Sequence, residues 1–308
     1  YTQNDTVGKA GLEQYYETYL RGKNGERKFY IDNVGRISEI ISSTDSVAGD
    51  DLYLSIDADL QMATYLALQN EIAAIVYSNI KSGEIPINDV YTALIGNSVI
   101  NTEHFSKSKA SDTEKSVLSV FKSRQKTTLG KIKQELTSSP EALNTMSDEV
   151  LDEFTYIISM LKDDQVLLKN EIDTSDSVYQ KWKDQKISPK EYLNYCITQH
   201  WIDISQLNVD EKYADSTEVY DALCKYILKN IKTDTEFSKI IYQYMITRGE
   251  ISPRQLCLIL FDQGVLDYDD ATVNKLKNGS LSPRDFLMKK IYNIEITPAQ
   301  LALEPCIG

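Results

Sequence analysis

Apolar residues follow two rhythms along the chain. In the first 56 residues the pattern is short and strand-like. Residues 28–32 and 36–41 read as two strands around Asn33-Val34-Gly35, a turn in which glycine supplies a positive φ. A short helix is expected over 12–20, and 52–56 reads as a third short strand. Six of the 13 glycines fall in this stretch: Gly8, Gly11, Gly22, Gly25, Gly35 and Gly49. From Asp57 onward the spacing turns helical. Asp57 or Asp59 is placed to cap a helix with apolar positions at Leu60, Ala63, Leu66, Ala67, Ala74 and Ile75. Ser111-Asp112-Thr113-Glu114 is a capping box ahead of a helix reaching Leu136. Ser139-Pro140-Glu141 predicts another start. Ser147 is expected to cap a stretch through Leu161, Ser216 the stretch 218–231, and Thr235 the stretch 237–247.

One phrase recurs in the second half: Ile187-Ser188-Pro189-Lys190, Ile251-Ser252-Pro253-Arg254 and Leu281-Ser282-Pro283-Arg284, with Ile296-Thr297-Pro298 as a looser copy. Each joins an apolar residue, a hydroxyl cap and a proline suited to the first helical turn. The serines are 64 and 30 residues apart, which is no solenoid period.

Length and charge narrow the classes. A chain of 308 residues accommodates about two domains and buries roughly 75% of its unfolded surface without staples. Its 33 basic and 46 acidic residues give a net charge of −13. That argues against nucleic-acid binding and against charge-driven anchoring on anionic lipid. With 42% apolar residues it is not an acidic disordered tail. Twenty tyrosines against seven phenylalanines point to many half-buried positions with one wet end. The most apolar stretch, 62–77, is interrupted by Gln69, Asn70 and Glu71, so no membrane span or signal peptide is expected. The chain opens on Tyr1 and closes on Cys306-Ile307-Gly308, and it reads as a piece of a longer protein.

The N-terminal residues carry a resemblance. Gly8-Lys9-Ala10-Gly11-Leu12-Glu13, then Tyr15, Tyr16, Leu20, Gly22 and Gly25, resemble class B penicillin-binding proteins. Asp32-Asn33-Val34-Gly35-Arg36, Gly49-Asp50-Asp51-Leu52 and Leu54-Ser55-Ile56-Asp57 with Leu60-Gln61 continue the likeness, with Ser55 where the family usually has Thr. The resemblance covers about residues 6 to 70. It implies a pedestal, or dimerisation-type, segment over 1–56 and the first helix of a transpeptidase domain over 57–80. Residues 81–295 would be a helical insertion, similar to those of some anaerobic Gram-positive relatives, and 296–308 the lead-in to the transpeptidase core. The expected fold is mainly α with a small α+β N-terminal part.

By the same resemblance the parent is a membrane-anchored serine D,D-transpeptidase. It would cross-link peptidoglycan on the outer side of the cell membrane and be acylated by stem peptides or β-lactams. That family's signature is Ser-x-x-Lys, then Ser-x-Asn, then Lys-Thr/Ser-Gly. Ser78-Asn79-Ile80-Lys81 and Lys81-Ser82-Gly83 match superficially, but they share Lys81 and cannot form two walls of one site. Ser106 to Lys109, Ser119 to Lys122 and Ser123 to Lys126 also match a pattern with two free places. None is assigned as the nucleophile, which is expected downstream of Gly308. No residue is assigned a catalytic, cofactor-binding or metal-ligating role, and no cofactor is expected.

Other constellations are weak. Cys196, Cys224, Cys257 and Cys306 are spaced for neither zinc nor a disulfide framework. Cys196 and His200 are four apart without two further ligands nearby, and His104 stands alone. Asp267-Tyr268-Asp269-Asp270 opens like a calcium loop, but Thr272 and Asn278 occupy the positions of its glycine and glutamate, so a helix cap is the better reading. No P-loop or dinucleotide fingerprint occurs. The basic run Lys122 to Lys133 reads first as a solvated helix face and second as a docking stripe for an acidic partner.

The chain is therefore expected to be the non-catalytic portion of a penicillin-binding protein, its insertion serving for docking or spacing among cell-wall synthesis proteins. A free-standing helical adaptor is the alternative. An independent hydrolase built on Ser78 and Lys81 is a third reading.

Overall fold

A computed structural model describes residues 6–34, 36–138, 141–209 and 214–303. The chain divides into two compact units, Tyr1–Tyr65 and Leu66–Gly308. The architecture is mainly helical with one small antiparallel sheet near the N-terminus.

In the first unit, helices α1 (Gly11–Tyr15) and α2 (Glu17–Leu20) replace the single helix expected over 12–20, because Tyr16 leaves helical geometry at φ −101° and ψ 13°. Strands β1 (Glu26–Ile31) and β2 (Ile37–Thr44) pair from Glu26 opposite Thr44 to Ile31 opposite Ile37, with two register irregularities. Asp32 closes the hairpin: its Oδ1 accepts from the backbone N–H of Val34 (2.9 Å) and of Arg36 (2.8 Å). Gly35, the expected positive-φ residue, lies outside the described residues. The third strand expected over 52–56 does not form. No neighbouring strand among the described residues supplies a ladder there, and Tyr53 is 89% exposed.

Helix α3 (Ala58–Ser82) carries the partition between the units. Asp57 caps it, its Oδ1 accepting from the N–H groups of Asp59 and Leu60 at 3.0 Å each. The predicted stripe is only partly used. Leu60, Ala63, Leu66 and Ala67 stay exposed, and burial begins at Ala73, Val76 and Ile80.

The second unit adds α4 (Ile87–Gly96), α5 (Asp112–Thr137), α6 (Asp148–Asp163), α7 (Ser177–Lys183), α8 (Pro189–Thr198) and α9 (Ser216–Ile231). It ends with α10 (Thr235–Thr247), α11 (Pro253–Asp262), α12 (Asp270–Asn278) and α13 (Pro283–Tyr292). Helix α5 is central and touches α8, α9, α10 and α11. One continuous apolar core runs through the unit, with Leu94, Phe154, Tyr192, Ile227, Leu260 and Leu287 fully buried.

The helix starts refine the sequence reading. Ser111 and Glu114 form the predicted capping box. Ser147 precedes α6 without bonding through its side chain. Asp215, not Ser216, caps α9, and Asp234, not Thr235, caps α10; in each case the carboxylate takes the cap one residue earlier and reaches the amides of the first turn. Ser139 and Pro140 lie outside the described residues, and the following stretch holds only the 3-10 turn Leu143–Thr145 rather than a helix.

The recurring Ser-Pro phrase is half of a corner. After α7, α10, α12 and α13 the chain passes through one left-handed residue: Gln185, Gly249, Gly279 and Ile294, with φ between 58° and 82°. Two positions later comes the apolar residue of the phrase, and then the cap and proline. Backbone bonds fold the corner back onto the finished helix, as in Lys186 N–H to Lys181 O (2.8 Å) and Glu250 N–H to Met245 O (2.8 Å). Ser188, Ser252 and Ser282 each accept from the third residue of the next helix.

Several tyrosines have a defined task. Tyr156 donates to Asp234 (2.8 Å), Tyr195 to Asp176 (2.7 Å), Tyr226 to Asp164 (2.9 Å) and Tyr244 to Asp152 (2.6 Å). The rings of Tyr156, Tyr195 and Tyr226 lie against the apolar core while their hydroxyls meet carboxylates.

Candidate functional site

The resemblance-bearing residues of the first unit build a backbone clasp. Lys23 and Val47 exchange two backbone bonds (2.8 and 2.9 Å), and Asp50 N–H donates to Tyr19 O at 2.8 Å. Gly22, at φ +69°, faces the Val47 carbonyl, and Gly49 faces the Leu20 carbonyl; a Cβ on either would collide with that backbone. Gly8 N–H donates to Glu17 Oε2 at 2.8 Å. Among the described residues before α3, only Gly8, Tyr16, Glu17, Leu20, Gly22 and Gly49 are half-buried; the others are exposed.

The superficial Ser-Lys matches lie on exposed surface. Ser78 and Lys81 are exposed near the C-terminal end of α3, where Arg284 Nη2 reaches the Ile80 carbonyl at 3.0 Å. Ser82 donates to Asn79 O and Ser106 to Glu103 O, each closing its own turn. Ser119, Lys122, Ser123 and Lys126 are exposed on α5.

The thiols are inert by burial. It pushes Cys196 and Cys257 up to about 12 and Cys224 up to about 11, far from thiolate formation at neutral pH. Cys196 and His200 do not converge. Cys196 is fully buried, whereas His200 is the exposed left-handed residue after α8 (φ 58°). Cys306 lies outside the described residues. Among the described residues no group of three or more His, Cys, Asp or Glu side chains is placed to hold a metal. Asp269 caps α12, accepting from the N–H groups of Ala271 (3.3 Å) and Thr272 (3.2 Å).

Two buried polar centres were not legible locally. Glu114 is fully buried and accepts from Gln263 Nε2, His104 Nδ1 and Ser111 N–H, each at 2.7 Å. Burial alone would raise its carboxyl, but the bonds from Gln263, Ser111 and His104 outweigh that and hold it below the usual range. The second centre is Glu149, gripped by Arg124 Nη2 (2.8 and 2.9 Å) and Arg248 Nη2 (2.6 Å). Beside it, burial and then the Glu149 charge push Glu153 up to about 8. Both centres join helices that are distant along the chain. They brace the body.

The basic run of α5 does form a concave surface. Lys122, Lys126 and Lys133 line a groove of about 510 Å³ with Lys232, the residue that ends α9, over Leu129 and Leu228. The sequence shows the α5 half; the α9 half is about 100 residues away and becomes visible only through the packing of the two helices.

Comparisons place the first unit. Residues 1–54 match the family described as Penicillin-binding Protein dimerisation domain. Peptidoglycan D,D-transpeptidase FtsI of Escherichia coli (strain K12) is 35% identical over 118 residues, 38% of this chain and 19% of the relative. Peptidoglycan D,D-transpeptidase MrdA of Salmonella typhimurium (strain SL1344) is 32% identical over 85 residues, 28% of this chain and 14% of the relative. Penicillin-binding protein 3 of Bacillus subtilis (strain 168) is 38% identical over 84 residues, 27% of this chain and 12% of the relative. The chain thus spans at most 19% of the length of these relatives. No solved structure matches it. The clasp built from Gly8, Leu20, Gly22 and Gly49 therefore lies in a penicillin-binding protein dimerisation-domain segment, and through that segment the chain is a relative of the class B penicillin-binding proteins.

Proposed function

We propose that this chain is a non-catalytic portion of a class B penicillin-binding protein that takes part in peptidoglycan cross-linking on the outer face of the cell membrane. Its helical body, residues 81–295, serves as a docking or spacing module for cell-wall synthesis proteins. The observation that carries the first part is the similarity of the N-terminal segment to peptidoglycan D,D-transpeptidases. Support for the second part is the contrast between a continuous apolar core, which also takes in Val76 and Ile80 of α3 and Ile296 and Leu301, and a surface on which the Ser-Lys matches stand apart from any enclosed site.

Cross-linking is the work of a Ser-Lys pair held in a pocket, and on this reading such a pair lies elsewhere in the parent. The purified chain should take up no fluorescent penicillin. Deleting 81–295 from the parent gene should impair growth or mislocalise the protein while leaving penicillin labelling of the parent intact. Unchanged growth, localisation and partner recovery would remove the docking role. Covalent labelling of the chain itself would remove the non-catalytic reading.

A further inference from the structure

The groove between α5 and α9 combines three features that the fold of the chain does not explain. The first is charge. Lys122, Lys126, Lys133 and Lys232 are all exposed, no carboxylate lines the groove, and none of the four forms an ion pair among the described residues. This occurs on a chain of net charge −13, where carboxylates outnumber basic groups. Neighbouring ammonium groups along the groove repel one another, and an acidic occupant would relieve that cost.

The second feature is the floor. Leu129 and Leu228 are half-buried and face the groove, so each leaves apolar surface for a neighbour to cover. The third is Gly130. It lies well inside α5, where glycine costs about 0.5–1 kcal/mol relative to alanine. A Cβ placed on Gly130 meets nothing within 4 Å, so no contact inside the chain demands its absence. The bare backbone instead deepens the groove at its middle and permits a close approach from outside, since helix-to-helix distance is set by the side chains at the crossing.

We infer that this groove is a docking site for an acidic amphipathic helix of a partner protein. The occupant would lay a seam of apolar residues over Leu129, Gly130 and Leu228, with Asp or Glu rows on either side meeting Lys122, Lys126, Lys133 and Lys232. The stripe from Lys122 to Lys133 runs about 16 Å along α5, the length of about three helical turns. The inference rests on reading the helical body as a docking module and names its partner's chemistry.

The test uses the full chain and a synthetic helical peptide of about four turns with a leucine seam flanked by glutamates. A scrambled peptide of the same composition, anionic phosphatidylglycerol vesicles and the chain's own self-association serve as competing outcomes. Saturable binding of the seam peptide, weakened by salt and by at least about tenfold in K126E/K232E, is expected. The variant G130L should melt no lower than the native chain, because the site is open and leucine favours helix, and yet it should lose the peptide. Four results would overturn the inference: no saturable binding, equal binding of the scrambled peptide, full binding by G130L, or lysine-dependent binding of vesicles or of a second copy in place of the peptide. In the parent, a damaging deletion of 81–295 with silent groove variants would refute the groove and spare the docking role. A silent deletion with peptide binding intact would refute the docking role and spare the groove's chemistry.

Discussion

In the first 65 residues the backbone holds the shape. Glycines let one segment bring its bare Cα against the backbone carbonyl of another, while Phe29, Tyr30, Ile37, Ile40, Ile41 and Tyr53 remain on the surface. None of the described residues there is buried. In the helical body the side chains hold it, through a continuous core and two buried ionic centres. The difference teaches that the two regions answer to different substitutions. A two-stranded sheet without a covered face is marginal alone, whereas a helical unit with its own core is self-sufficient.

The sharpest break of this comparison is excision. Residues 66–303 alone should melt cooperatively near the temperature of the whole chain, while 1–56 alone should show only weakly protected amides by hydrogen exchange. Next come paired point variants. Phe154→Ala should destabilise the body by about 3–5 kcal/mol in urea titration. Gly49→Ala should erase amide protection at Val47 and Asp50 without moving the body's melt. Glu149→Ala should then cost about 3 kcal/mol, because Arg124 and Arg248 lose the carboxylate they share.

A smaller effect depends on pH. The carboxyl of Glu153 is raised in the folded state to about 8 from 4.5, so the folded chain binds its proton more tightly than the unfolded one. The stability that Glu153 contributes is full below about pH 4.5 and falls as pH rises toward about 8. Glu153→Gln should match the native melting temperature near the lower limit and exceed it near the upper one. Parallel curves would show that Glu153 does not titrate in that window. The smallest expected change is a gain. Ile294 holds φ 58°, a costly conformation for a β-branched residue, so Ile294→Gly should stabilise the body by about 0.5–1 kcal/mol.

Much of this was legible in the chain because it was local. The Ser-Pro starts, the Ser111–Glu114 box and the N-terminal glycine motif each lie within a few residues. What escaped was decided by choice or by distance. Asp215 and Asp234 sit beside hydroxyl residues that also suit a cap, and the carboxylates took the role. An Asp215-x-x-Glu218 box was the available signal in the first case. The apolar residues at 52–56 have strand composition but no partner, and pairing is not written in the strand itself. The Glu114 centre includes a bond between residues 149 positions apart, and the groove joins α5 to α9. Neither leaves a local pattern.

The tyrosine–aspartate pairs bear on how the helices are kept from sliding. Asp234 uses Oδ1 to open α10 and Oδ2 to receive Tyr156 from α6; Asp176 does the same for α7 and for Tyr195 from α8. Each carboxylate therefore reads two addresses at once: where one helix begins and how far another has been advanced along its axis. A slip of one residue carries a hydroxyl about 1.5 Å along the axis and about 100° around it, out of reach. Apolar packing in the core is non-directional, whereas such a two-sided coincidence of hydrogen bonds fixes depth and rotation together. These tyrosines act less as cement than as indexing pins, marking one alignment among the many that the apolar surfaces alone would accept.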